Sequence, residues 1–241
     1  MEILKYPLDS ENILKKRRSI KKQLLNDGSE RIKKNIAILG GSTTNDILNT
    51  LELFVLNNGI EPTFYQSEYA QYKNDIMFSN PKLDAFKPDI ILIHTSTRNI
   101  TEYSFNLNLS YKDVQQAIQR EFENFSTMWD MAFKKYSCPI VQNNFEKPLY
   151  KILGNRDCYD IHGKTYFINQ LNAKFYEYAQ THENFYINDI DFLSSDYGLS
   201  KWSNPYYWHM YKYALCVDAI PEFSYNICKI IKSIYGKNKK A

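Results

Sequence analysis

The stretch that most constrains the fold is Asn35-Ile-Ala-Ile-Leu-Gly-Gly-Ser-Thr-Thr-Asn-Asp46. Its apolar run Ile36–Leu39 stops at two glycines, continues through Ser42, Thr43 and Thr44, and enters an amphipathic segment ending at Asn58. Strand, glycine turn, hydroxyl residues and helix form the entry unit of an open α/β domain, which places ligands beyond the carboxyl ends of its strands. Ser42 falls there. Its hydroxyl could lie beside free helix N–H groups that stabilise an oxyanion or hold a phosphate. Alternatively, Ser42 or Thr43 is a helix N-cap. The pattern is neither Gly-x-x-x-x-Gly-Lys-Ser/Thr nor Gly-x-Gly-x-x-Gly, so it is not a known nucleotide loop.

The order of patterns along the chain extends this unit. An amphipathic helix is expected over Ser10–Asn26, with Ser10 as N-cap and Asp27-Gly28 as its stop. Pro62–Tyr65 reads as the second strand, and Ser67–Phe78 as a helix or structured loop. Pro88-Asp-Ile-Ile-Leu-Ile-His94 is the third strand, a continuous apolar run typical of a parallel strand buried on both faces. Ser110–Tyr136 carries Val114, Ile118, Phe122, Phe125, Trp129 and Phe133 at helical spacing, as a core face. Pro139–Val141 and Phe185–Asn188 are strands four and five, flanked by helices over Gly163–His182 and Val217–Tyr235. The alternation predicts a three-layer α/β/α sandwich around a parallel, flavodoxin-like five-stranded sheet of order 2-1-3-4-5.

At 241 residues the chain suits one such domain, with residues 1–34 as a basic helix docked on a unit spanning 35–241. The net charge of +3 conceals an asymmetry. Residues 10–34 hold nine basic side chains against Glu11, Asp27 and Glu30. Such a helix is either a solvated face or a docking surface for an acidic partner. The basic residues lack interleaved aromatics, which argues against nucleic acid. No apolar stretch suits a membrane span, and Met1–Pro7 has no signal-peptide core, so the expected compartment is the cytoplasm. The four cysteines and four histidines (His94, His162, His182, His209) show no metal-ligand spacing, so no metal site is expected.

If strands one, three, four and five lie side by side, their ends gather a polar set. It comprises Ser42, then His94 to Asn99, then Gln142, Asn143 and Asn144, then Asn188, Asp189 and Asp191. Trp202-Ser-Asn-Pro-Tyr-Tyr-Trp-His209 returns a histidine before the last helix. Hydroxyl, amides and a late histidine suit acyl transfer by nucleophile, oxyanion donors and general base. Each group also has a plainer role. His209 can be a packing residue in its aromatic run, and Asn99 can cap the next turn. Arg98 can bind a phosphate or carboxylate or form a salt bridge. Asn143 and Asn144 can contact a ligand or satisfy loop backbone.

Ser42 after strand one, an asparagine after strand three and a histidine before the last helix resemble the SGNH/GDSL hydrolase layout. The chain departs from it in three places. Gly40-Gly41-Ser42 replaces Gly-Asp-Ser, Ser96-Thr97-Arg98-Asn99 replaces Gly-x-Asn-Asp, and Tyr206 stands where the triad acid is expected. Asn204, Asp196 or Asp191 are substitutes among which spacing does not choose. Longer motifs, Asn80–Asn99, Gln142-Asn-Asn-Phe145 and Tyr207–Leu215, resemble the N-terminal domain of FkbH-like proteins. In those bacterial proteins an SGNH-like domain precedes a haloacid-dehalogenase-type phosphatase domain, and members serve polyketide or surface-glycan pathways.

The resemblance implies Ser42 as nucleophile, His209 as base, and Asn99 with the Gly41–Ser42 backbone as oxyanion donors. Arg98, Asn143 and Asn144 would be substrate contacts. The implied substrate is a small acyl or glyceryl group, with an acyl carrier protein as possible partner. A non-catalytic docking module for that partner is the alternative. No cofactor is expected in this domain; magnesium would belong to the phosphatase-like domain, into which Tyr235–Ala241 resembles the lead.

Overall fold

The computed structural model describes residues 1–236. The rest of the closing run, which the resemblance ties to a following domain, lies outside the described residues. In chain order the elements are α1 (Ser10–Leu25), β1 (Ile32–Gly40), α2 (Asn45–Asn57), β2 (Ile60–Gln66), α3 (Tyr72–Met77), α4 (Pro81–Phe86), β3 (Ile90–His94) and α5 (Tyr111–Tyr136). There follow β4 (Ile140–Asn143), α6 (Lys164–Thr181), β5 (Phe185–Asn188), α7 (Ile190–Tyr197), α8 (Leu199–Trp202), α9 (Pro205–Tyr211) and α10 (Ile220–Tyr235). The strands form one parallel sheet of order β2-β1-β3-β4-β5, as expected.

Residues alternate between the two sheet faces and so belong to two cores. Ile36, Ile38, Leu92 and Val141 pack with Ile13 of α1, Phe54 of α2 and Phe223 of α10. Ala37, Leu39, Ile91, Ile93 and Ile140 pack with Trp129 of α5 and Phe175 of α6. Trp129 meets Phe175 and Phe185 at ring-centroid distances of 4.7 and 4.6 Å. The helical stripe read from α5 is therefore a core face, with Val114, Ile118, Phe125 and Trp129 buried.

Several boundaries move for local reasons. Asp9, not Ser10, caps α1, its carboxylate accepting from Asn12 N–H. Neither Ser42 nor Thr43 caps α2. That position falls to Thr44, whose side chain makes no cap bond and instead accepts from Gln66. Ser110 and Asp113 close a capping box at the start of α5. Strands β1 and β2 run longer than their apolar cores because Ile32 to Ile38 pair continuously with Ile60 to Gln66.

The loop leaving β3 is held from beneath. Glu121 of α5 is buried, and its carboxylate accepts from Thr101 N–H, Thr101 Oγ1 and Glu102 N–H at 2.9, 3.1 and 2.7 Å. Removing the acceptor strands two backbone donors and a hydroxyl. Glu121→Ala is expected to lower unfolding free energy by about 3 kcal/mol, and Glu121→Gln, which keeps an oxygen, by clearly less; chemical denaturation checks both.

Candidate functional site

The strand ends converge as the sequence pattern expects, and the glycine pair at the end of β1 has a steric reason. A Cβ on Gly40 would lie 2.7 Å from both Ser42 O and Thr44 Cγ2. One on Gly41 would lie 2.3 Å from Asn99 Nδ2. Gly41 is thus the floor on which Asn99 rests. Gly41 N–H donates to His94 O at 2.9 Å, and Thr43 N–H and Oγ1 donate to the carbonyls of Lys212 and Tyr211 at the end of α9. The turn between them presents Ser42, which is 3% exposed and whose Oγ has no hydrogen-bond partner among the described residues.

Asn99 has both ends of its amide in use. Its Oδ1 accepts from Ser96 N–H at 3.0 Å, and its Nδ2 donates to Gly41 O at 3.2 Å. It completes a capping box on a short 3₁₀ turn, Thr97–Asn99, and ties that turn to β1. Asn143 and Asn144 are likewise engaged inside the protein. Asn144 donates to Tyr176 Oη and Asp189 Oδ1 and accepts from Asp191 N–H.

Asn143 belongs to a buried chain of side chains on the α10 face of the sheet. Its Nδ2 meets His94 Nδ1 at 2.9 Å and donates to Thr95 O at 3.0 Å. Its Oδ1 accepts from Asn188 Nδ2, and Asn188 Oδ1 accepts from Asn226 Nδ2, both at 2.7 Å. A carbonyl can only accept, so Thr95 O fixes the orientation of the Asn143 amide. The second amide hydrogen therefore points at His94 Nδ1, and the proton of the neutral imidazole sits on Nε2. That nitrogen is buried without a partner among the described residues, and the ring lies edge-on to Phe223 at 5.0 Å. Burial draws the His94 pKa down from 6.5 to about 4, so the ring is neutral at pH 7.

His209 lies apart from this assembly. It is exposed on α9, a helix with no buried residue, and its side chain makes no hydrogen bond to any described residue. Because Ser42 Oγ has no partner, the serine–histidine hydrogen bond expected from the sequence is absent. The candidate substitutes for the triad acid do not orient the ring either. Asn204 caps α9, Asp191 pairs with Lys147 at 2.5 Å, and Asp196 is exposed. Arg98 forms no ion pair with a described residue; its guanidinium stacks over Trp208, 4.5 Å from the ring centroid.

Sequence reasoning missed the residues that organise the other side of this region. Asn172 of α6 brackets Phe145, accepting from its N–H and donating to its carbonyl at 2.9 and 2.8 Å. The next residue, Glu146, is buried and accepts from Thr97 N–H and Oγ1 at 3.3 and 3.1 Å. Desolvation raises its pKa, while Thr97 and the Lys164 ammonium act in the opposite direction. A carboxylate directly after Gln142-Asn-Asn-Phe145 was the available signal. Among the described residues, no group of three or more His, Cys, Asp or Glu side chains is placed to hold a metal ion. No helix there is long and apolar enough to cross a membrane.

With a parallel sheet in this order and helices on both faces, the fold is a three-layer α/β/α sandwich that places a serine turn after its first strand. Within it, the chain belongs to the FkbH family: the family's N-terminal domain matches residues 35–232. The N-terminal part of BF1531 from Bacteroides fragilis, which contains a phosphatase domain and was crystallised with Mg, aligns at a TM-score of 0.78 and 21% identity. The alignment covers 93% of this chain and 57% of that one, so this chain spans little more than half its length. The salicylyl-acyltransferase SsfX3 of a tetracycline biosynthetic pathway aligns at a TM-score of 0.50 and 13% identity, over 88% of this chain and 58% of that one. A GDSL-like lipase from Bacteroides thetaiotaomicron aligns at a TM-score of 0.42 and 13% identity, over 94% and 98%. No curated protein sequence matches significantly.

The His94 geometry carries a pH prediction. The folded imidazole binds a proton more weakly than the unfolded one, so the unfolded chain takes it up first as pH falls. The contribution is intact above pH 6.5 and is lost down to about pH 4. This loss should reach about 3 kcal/mol. Urea denaturation across that range should show a shallower pH dependence for His94→Gln than for the parent.

Proposed function

We propose that this domain is a non-catalytic docking module, holding an acyl carrier protein or pathway partner beside a phosphatase or glyceryl-transfer domain. The observation that carries this reading is the separation of base from nucleophile: His209 is exposed and Ser42 Oγ is buried without it. A general base must reach the proton it removes, directly or through one water. The Asn99 amide, an expected oxyanion donor, is held by Gly41 O and Ser96 N–H. Tyr206 stands at the position of the missing acid.

The basic helix supplies a surface for an acidic partner. Arg17 and Lys21 turn inward to α2 and pair with Asp46 and Glu52 at 2.7 and 2.6 Å. Lys15, Arg18 and Lys22, spaced three and four apart, share the opposite stripe and are exposed. Carrier proteins are typically acidic, and charge complementarity of this kind steers association.

A second reading has its own support. Ser42 sits at the expected strand end, and neither its Oγ nor its backbone N–H donates to any described residue. If α9 brings His209 onto it, Ser42 becomes the nucleophile of acyl or glyceryl transfer, or of ester or thioester hydrolysis. Under either reading the setting is polyketide or surface-glycan biosynthesis.

Two measurements separate the readings. A fluorophosphonate probe, which labels activated serines, is expected to leave Ser42 unlabelled; labelling that Ser42→Ala abolishes would establish the nucleophile. Calorimetric titration with a purified acidic acyl carrier protein is expected to show binding that added salt weakens and that the Lys15→Glu/Arg18→Glu/Lys22→Glu variant weakens about tenfold or more. Unchanged binding in that variant would remove the α1 stripe from the interface.

A further inference from the structure

A cleft of about 280 Å³ opens beside the strand ends, and Ser42 does not line it. Its walls are the turn after β3, the chain leaving β4, the first residue of α6 and the approach to α9. Arg98 and Lys164 line it, and among the described residues neither side chain forms an ion pair or a hydrogen bond. Lys147, also in the wall, is neutralised by Asp191. Glu146 is buried there, with Thr97 donating to each of its oxygens, which suits the carboxylate form.

Both cations lie near Glu146 but do not touch it within ion-pair distance, and Asp157, which does not line the cleft, also acts on Lys164. Arg98 is held in place by its stacking on Trp208. Stacking leaves the in-plane N–H groups of a guanidinium free for a planar or tetrahedral oxyanion. Lys164 lies at the first turn of an 18-residue helix, where the backbone dipole adds to its field. Apart from Thr97 and Ser203, the remaining wall is apolar. Pro148, Tyr150 and Ile152 follow Glu146, and the last two are 78% and 56% exposed.

We infer that this cleft binds a small amphipathic anion. A carboxylate or phosphate head lies between Arg98 and Lys164, and an apolar body rests on Tyr150 and Ile152. Glu146 acts as a positioning residue, because its bonds to Thr97 set the turn that carries Arg98. The inference goes beyond the docking reading and requires nothing of Ser42.

Calorimetric titration of the whole chain tests it, with hexanoate, hexyl phosphate and neutral hexanol as probes. The expected result is saturable one-to-one binding of hexanoate or hexyl phosphate and none of hexanol; the tighter acid identifies the head group. Arg98→Gln and Lys164→Gln should each weaken that binding about tenfold, the scale of one lost charge-assisted contact. Arg98→Lys should retain part of it, and Ser42→Ala all of it. Both glutamine variants alter side chains without hydrogen-bond partners and should keep the parent circular dichroism and melting temperature. Absence of saturable binding by either acid, equal binding of hexanol, or binding unchanged in both folded glutamine variants would overturn the inference. Ser42 labelling reports separately on the reading of the serine turn.

Discussion

The carboxyl end of this sheet depends on one buried run of hydrogen bonds, from His94 on β3 through Asn143 on β4 and Asn188 on β5 to Asn226 on α10. Parallel strands bring their last residues to a common edge, where backbone pairing stops and polar groups must find other partners. Here the side chains supply them in register, because Asn143 and Asn188 are direct partners in the β4–β5 pairing. The opposite face uses Gln142, which accepts from Trp129 Nε1 at 3.0 Å and donates to Thr95 Oγ1 and Asn143 O, both at 2.8 Å. The two runs meet at Asn143 and Thr95, so disturbing one is felt by the other.

That arrangement governs the serine turn. His94 O anchors Gly41 N–H, and the Gly41 carbonyl anchors Asn99. The Asn99 amide then sets the Thr97–Asn99 turn, whose Thr97 meets Glu146. A continuous set of hydrogen bonds thus runs from the sheet end to the cleft wall, giving Arg98 its place. Small residues are required where this set passes close to the backbone. Gly41 lies against Asn99, and Gly163, just before Lys164, lies so near Asp157 that a Cβ would fall 2.1 Å from its carbonyl oxygen.

The fold was legible because its signals are local. The continuous run Ile90–His94 and the helical stripe of α5 each identify their element without reference to any other. The alternation of such elements then leaves few topologies open. The gathering of Ser42, Asn99, Asn143 and Asn188 at one end also followed from topology. What each does there did not follow, because it depends on partners far along the chain. Asn99 could have been a cap or a donor, and the presence of Gly41 O beside it decides between them. Spacing placed His209 before the last helix, but α9 has no buried face to draw that ring inward. Arg98 had two readings, and the absence of any described carboxylate within ion-pair distance, with Trp208 beneath it, removes the salt bridge. Lys164 carried no signal, since a lysine opening a helix is ordinary on a surface.

Hydrogen-bond donors at the strand ends are finite, and here structure and chemistry compete for them. An oxyanion site needs N–H groups with no ground-state partner, aimed at a position where charge develops. In this chain Gly41 N–H and one hydrogen of the Asn99 amide serve protein carbonyls, Ser42 N–H has no partner among the described residues, and the imidazole available to the sheet end, His94, is neutral with Nδ1 occupied. The same contacts that make the sheet end rigid thus occupy part of its donor set. Donors without protein partners lie one wall away, on Arg98 and Lys164. An oxyanion bound between them, as inferred above, would meet donors that no described carboxylate occupies.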